Sequence, residues 1–216
     1  MKNTGRYDTS GLSEAQYEPG SSDRVLLNLL GISDPTEMER VETLELARVT
    51  NHCLDEISPV QRFTAADICR IHREWLGRVY PWAGSYRQVN MSKAGFPFAS
   101  PAHIPALMLE LEKDVLGQFT PCRGDHGAVA KALGTVHVEL VLIHPFREGN
   151  GRIARLVALL MGLQAGLPPL EFSMMDGENR ERYFAAVRKG LDRDYQPMAA
   201  IFSEVIGKSV AFAQGQ

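Results

Sequence analysis

His144-Pro145-Phe146-Arg147-Glu148-Gly149-Asn150-Gly151-Arg152-Ile153-Ala154-Arg155 stands between two apolar runs, Val136 to Ile143 and Ile153 to Leu163. Both runs read as buried helices, so the stretch is a bend that joins them. Pro145 ends the incoming helix, because the residue before a proline is pushed out of the α region and proline has no N–H to donate. Gly149 and Gly151 let the backbone turn tightly with no β-carbon in the way, and the outgoing helix is expected to begin at about Gly151. A glycine-flanked bend that opens a helix aims several N–H groups at one spot and adds the positive end of the helix dipole, an arrangement suited to phosphate.

The side chains of the bend fit that guest. Arg152 and Arg155, in the first helical turn, can fork onto phosphate oxygens, and Arg147 is counted with the phosphate-binding residues. Glu148 is the bend's lone carboxylate, and Mg²⁺ prefers one or two carboxylates together with phosphate oxygens and water. Asn150 offers a neutral donor to a phosphate oxygen whose charge changes in the transition state. His144 titrates near neutrality and can take a proton from an incoming hydroxyl. Base, metal ligand, anion nest and cationic clamp are the parts of a phosphoryl- or nucleotidyl-transfer site.

Working outward, a helix is expected from Asp34, with Asp34 as cap, Pro35 in the first turn and Glu37 completing a capping box, to about Asp55. Its apolar side is Met38, Val41, Leu44, Val49 and Leu54. A second follows Thr64 and stops near Gly77, with Ile68, Ile71 and Trp75 as its stripe. Further helices are expected over 103–117, 124–143, 151–165, 179–191 and 196–213. Between Tyr86 and Phe98 the alternation Tyr86 to Met91, the turn Lys93-Ala94-Gly95 and Phe96-Pro97-Phe98 predict a small β-hairpin. The fold class is therefore all-α with a minor β element. Residues 1–33 are expected to be a flexible tail to about Ser22 followed by a short docking segment, and residues 34–216 the catalytic domain.

The bulk numbers exclude several classes. The 216 residues carry a net charge of −3, so no global positive field favours nucleic acid or an anionic membrane. No run of about eighteen apolar residues and no signal-like start is present, and a cytoplasmic protein is expected. Cys53, Cys69 and Cys122 are odd in number and widely spaced, matching neither a disulfide framework nor a zinc set. His137 reads as a core or loop-bracing histidine, and His52, His72, His103 and His126 have no mutual ligand spacing.

The stretch 144–155 resembles the Fic family motif H-x-F-x-[D/E]-G-N-G-R-x-x-R at every specified position. The similarity extends to Tyr80-Pro81-Trp82-Ala83-Gly84, the segment Arg87 to Phe98, and Asn179-Arg180-x-x-Tyr183. It implies a mainly helical Fic fold with a hairpin flap, and an enzyme that transfers AMP from ATP to a Tyr, Thr or Ser hydroxyl of a target protein. On that resemblance His144 is the general base, Glu148 the Mg²⁺ ligand, and Asn150 the holder of the α-phosphate. Gly149 and Gly151 supply N–H groups, Arg152 grips the β-phosphate and Arg155 the γ-phosphate, and Phe146 is the loop's buried anchor. Asn90, Ser92 and Lys93 fall on the flap, an edge strand onto which a target backbone can add. Gly149-Asn150-Gly151 departs from the Ala-Asn-Lys variant of the phosphorylating Doc branch.

Many Fic enzymes are silenced by a helix bearing [S/T]-x-x-x-E-[G/N]. Ser10…Glu14, Ser33…Glu37 and Thr135…Glu139 have its first spacing, but Ala15, Met38 and Leu140 follow and none completes it. The chain thus resembles the subgroup in which a separate small antitoxin supplies the inhibitory helix, which implies a toxin with a partner in trans, acting in its own cytosol or delivered to another cell's; a degenerate internal version such as Ser10 to Glu14 is the alternative. The alternatives are an idle nucleotide-binding interaction module, which would be expected to lack His144 or Glu148, and transfer of another group such as UMP, phosphocholine or phosphate.

Overall fold

The structure, a computed structural model, describes residues 11–175 and 177–215; the first ten residues of the expected tail, Ser10 among them, lie outside the described residues. Helix α1 spans Pro35–Glu56 and is capped by Asp34, whose carboxylate accepts the Glu37 N–H at 2.8 Å. The expected capping box stays half-made, because Glu37 turns its own carboxylate to Arg40 at 2.6 Å. The complete box belongs to α2 (Ala65–Leu76), where Thr64 and Asp67 satisfy each other's backbone N–H groups. Strands β1 (Ser92–Lys93) and β2 (Phe96–Pro97) pair antiparallel with Ser92 opposite Pro97.

Helix α3 (Ile104–Glu110) widens into a π-helical segment, Leu111–Leu116, and ends as the single turn α4, Gly117–Phe119, where one regular helix was expected. Helices α5 (His126–Ile143), α6 (Asn150–Gln164), α7 (Arg180–Lys189) and α8 (Gln196–Gln214) complete the set. The core is built around α5, which packs against α6 and α8. By length and composition α5 could cross a membrane, yet 67% of it is buried among its neighbours, which marks it as a core helix. A helix apolar on all sides is stable only when surrounded, and here its C-terminal end leads into the functional bend at His144.

Residues 11–31 form a packed arm: Tyr17 bridges Leu26, and the Leu29 N–H donates to the Val79 carbonyl at 2.8 Å. The Asn28 amide supports the arm by donating to the Leu26 and Ile32 carbonyls and accepting from the Leu30 and Ile32 N–H groups. The hairpin is shorter than the alternation suggests. Tyr86 to Asn90 joins no sheet, because the Arg87 N–H donates to the Pro145 carbonyl at 2.8 Å and the Gln88 N–H to the Glu14 carboxylate at 2.5 Å.

Candidate active site

His144 follows the last turn of α5 in left-handed backbone geometry (φ 52°), its N–H still donating to the Leu140 carbonyl. Its Nδ1 lies 3.1 Å from the Val141 carbonyl. A carbonyl only accepts, so Nδ1 carries the proton and Nε2 is the basic nitrogen. The ring stacks on Phe98 at 3.6 Å between centroids. Burial, with smaller help from the charges of Arg87 and Lys93, pulls its pKa down to about 4, so the imidazole is neutral at pH 7 and able to accept a proton.

Arg87, buried, ties the flap to this histidine. Its guanidinium donates to the carbonyls of His144 (2.7 Å), Val89 (2.6 Å) and Ala99 (2.6 Å). Three backbone carbonyls at the root of the flap and the start of the bend are thus fixed by one side chain. Glu14 of the arm closes the same corner, its carbonyl accepting from Arg147 Nε at 2.8 Å.

Beneath the bend Phe146 is fully buried and stacks on His72 at 3.8 Å. His72 donates from Nε2 to the Glu148 carbonyl at 3.0 Å and accepts the Gly84 N–H on Nδ1 at 2.8 Å, which fixes its tautomer; burial lowers its pKa to about 4. Phe146 therefore anchors the bend and does not reach a ligand. Asn150 also braces the bend. Its Oδ1 accepts the Phe146 N–H at 2.9 Å and its Nδ2 donates to the Phe146 carbonyl at 2.7 Å, so the amide clamps the bend.

The two glycines have unlike reasons. Gly149 has φ 84°, and a β-carbon there would meet the Trp75 ring at 2.5 Å. Gly151, inside the first turn of α6, needs no special backbone; a β-carbon would meet nothing, and the position borders the opening above the bend. The Gly149 N–H, expected on phosphate, donates to Glu148 Oε1 at 2.8 Å.

Glu148 is half-exposed, and Arg152 Nη2 reaches its Oε1 at 3.2 Å. A shorter contact, 2.7 Å, joins the same Nη2 to Glu42 of α1. The Arg152 guanidinium lies over the Trp75 ring, 4.7 Å from its centroid. Above the bend is an opening of about 320 Å³ bordered by His144, Glu148, Gly151, Arg152 and Arg155. It shares Lys93, Phe98, His144, Gly151 and Arg155 with a larger, more apolar cavity of about 620 Å³ that runs to Tyr183, Phe184 and Val187 of α7. One cleft thus has a polar, cationic end and an apolar end, the shape that a phosphorylated ligand with a ring system needs.

Ser92 and Lys93 border this cleft, whereas Asn90 is exposed and borders neither cavity. Lys93 Nζ sits over the Phe184 ring at 5.1 Å, bringing the flap to α7. His137 is a core residue as expected, 2.8 Å from the Tyr183 hydroxyl. The glutamates of the three incomplete inhibitory patterns are engaged elsewhere: Glu14 with Gln88, Glu37 with Arg40, and Glu139 with the Tyr195 hydroxyl. Among the described residues no group of three or more His, Cys, Asp or Glu is placed to cage a metal. Glu148 alone at the cleft mouth is the donor that Mg²⁺ takes when most of its ligands come from nucleotide and water.

Arg87, His72 and Glu42 were not foreseen as site residues. Arg87 carries one readable signal, a charge in alternation with the apolar Val89 and Met91; Glu42 carries none.

Residues 62–161 match the Fic/DOC family. The protein adenylyltransferase VbhT of Bartonella schoenbuchensis is 34% identical over 143 residues, 66% of this chain and 30% of that protein. The protein adenylyltransferase Fic of Drosophila ananassae is 23% identical over 205 residues, 94% of this chain and 40% of that protein. The chain thus spans less than half the length of these curated relatives. Among solved structures, BepC of Bartonella tribocorum with bound AMPPNP superposes with a TM-score of 0.72 at 25% identity, covering 90% of this chain and 97% of that one.

Proposed function

The chain carries a Fic/DOC family domain over residues 62–161, and on that premise we propose that it is a protein adenylyltransferase, using ATP to place AMP on a hydroxyl side chain of another protein. The observation that carries this reading is the tautomer of His144: with Nδ1–H on the Val141 carbonyl, the basic Nε2 belongs to a residue that borders the same opening as Arg152 and Arg155. Relatives named protein adenylyltransferase and a similar fold holding AMPPNP support it.

In the reaction, His144 Nε2 takes the proton of the target hydroxyl as its oxygen attacks the α-phosphorus. A new P–O bond forms, the bond to the β-phosphate oxygen breaks, and pyrophosphate leaves. Arg152 and Arg155 neutralise the departing phosphates, while the apolar end beside Tyr183 and Phe184 takes the base. Mg²⁺, held by Glu148, would offset charge on the phosphates. Asn150, Arg87 and His72 do no chemistry; they hold the bend and the histidine in place. The flap, with exposed Ser92 and Lys93 at the cleft, is the docking edge for the target's backbone.

The same reading includes control in trans by a small antitoxin that brings an inhibitory glutamate to the motif arginines, since the glutamates of the chain's incomplete patterns are engaged elsewhere. A cytosol, the chain's own or a recipient cell's, is the compartment that supplies ATP and keeps three unpaired thiols reduced. The test is incubation of the protein with ATP, Mg²⁺ and cell lysate, labelling the α- and γ-phosphates in separate reactions. Label from the α-phosphate is expected on protein with wild type and not with His144→Ala. Transfer of the γ-label alone would replace the reading with kinase chemistry.

A further inference from the structure

The geometry points to Glu42, far from the motif in sequence, as a positioning residue that sets the Arg152 guanidinium for the phosphates. This rests on the proposed use of ATP. Glu42 is 6% exposed, the one charged residue of its helix that is buried. Three contacts fix it: Oε1 accepts the Tyr80 hydroxyl at 2.7 Å, its backbone carbonyl accepts Trp75 Nε1 at 2.8 Å, and Oε2 takes Arg152 Nη2 at 2.7 Å.

The reason for a second carboxylate lies in the motif itself. Glu148, just ahead of the α6 cap, and Arg152 meet at 3.2 Å; with no second acid nearby, opposite charges at that distance draw each other closer. That would bind the metal-holding acid and the phosphate-gripping cation to each other. Glu42 is the closer and more buried partner, and a buried charge pair is much less screened than a half-exposed one. It holds Arg152 against the Trp75 ring, where the guanidinium borders both the opening over the bend and a second opening of about 390 Å³ beneath the arm. Glu148 stays half-exposed. An arginine whose rotamer is fixed beforehand loses less side-chain entropy when phosphate arrives.

The experiment is a double-mutant cycle on the affinity for AMPPNP with Mg²⁺, measured by calorimetry, with thermal unfolding of each variant recorded alongside. Glu42→Ala is expected to weaken binding about tenfold, and Glu42→Ala/Arg152→Ala no further than Arg152→Ala alone. Glu42→Gln, which keeps the length and an acceptor oxygen, is expected to restore part of the loss and remains informative if the alanine variant does not fold. Independent, multiplying losses would show that Glu42 merely fastens α1 to α2 and overturn the assignment. So would tighter binding by Glu42→Ala, which would make the carboxylate a competitor of the nucleotide. Wild type that binds AMPPNP without transferring AMP from ATP breaks the proposed activity and leaves this inference standing; wild type that binds no nucleotide overturns both.

Discussion

The bend 144–155 and helix α1 meet at one guanidinium, yet they differ in how their residues are chosen. In the bend, every functional group lies within twelve consecutive positions, and the local chemistry of proline, glycine, carboxylate and arginine declares the site. In α1 the residue that pairs with the site, Glu42, is separated from Arg152 by about half the chain and looks like any helical acid. Groups that meet a ligand can be close in sequence because a tight turn gathers them; groups that hold those groups come from wherever the packing brings a helix. The supporting residues also carry much of the stability, since burying a histidine or an acid is tolerable only when its partners are complete.

The largest effect expected from the supporting layer is on acid stability. His72 and His137 are fully buried, and burial lowers each pKa to about 4. Their folded values lie below the ordinary 6.5, so the unfolded chain binds more protons between pH 6.5 and 4, and stability rises with pH across that window. Their contribution is complete above 6.5 and is lost as pH falls through 4. A shift of this size corresponds to about 3 kcal/mol for each histidine, together comparable with the whole stability of an ordinary domain. Urea unfolding at pH 7, 5.5 and 4.5 should show a steep fall, and a flat profile would mean that neither ring is held neutral. His144, half-buried, contributes less.

Next in size is Gly149→Ala. The left-handed backbone costs about 1–2 kcal/mol for a residue with a β-carbon, and forcing that carbon into Trp75 adds about 1–3 kcal/mol. Since Trp75 also carries the Arg152 guanidinium, the variant should lose nucleotide affinity as well as stability. Gly151→Ala meets no atom and should keep its melting temperature; equal destabilisation by the two variants would erase the distinction between them.

The sequence made the bend legible because each of its requirements is local: a helix stop, a turn, an N-terminus and charges beside it. The helices were legible for the same reason, through caps and periodicity, with Asn150 to Gln164 beginning within one residue of its expected start. What was missed turned on which of several available partners each polar group takes in the folded chain. The bracing by Asn150 was not read because it depends on the bend's closure, which brings the Phe146 N–H and carbonyl to its amide. Tyr86 to Met91 alternates like a strand but has the Pro145 carbonyl and the Glu14 carboxylate as partners in place of a second strand. Residues 11–31 lack any period, and their order comes from the bridging of Asn28 and from docking on Val79.

The smallest expected effect tests the same contrast inside α1. The apolar side read from the sequence includes Leu44, whereas the face that packs is Met38, Glu42, Val49 and Cys53, and Leu44 is 57% exposed. An acid in the interior row displaces the stripe, because the helix rotates to bring Glu42 to Tyr80 and Arg152 and carries Leu44 out toward water. Leu44→Ala should therefore change unfolding free energy by less than about 0.5 kcal/mol, while Met38→Ala, emptying a buried site on the packed face, should cost about 2–5 kcal/mol. Denaturant unfolding of the two variants at one pH compares them directly. A loss at Leu44 as large as that at Met38 would place the interior face where the apolar pattern put it, and Glu42 would then be an outward acid with no claim on Arg152.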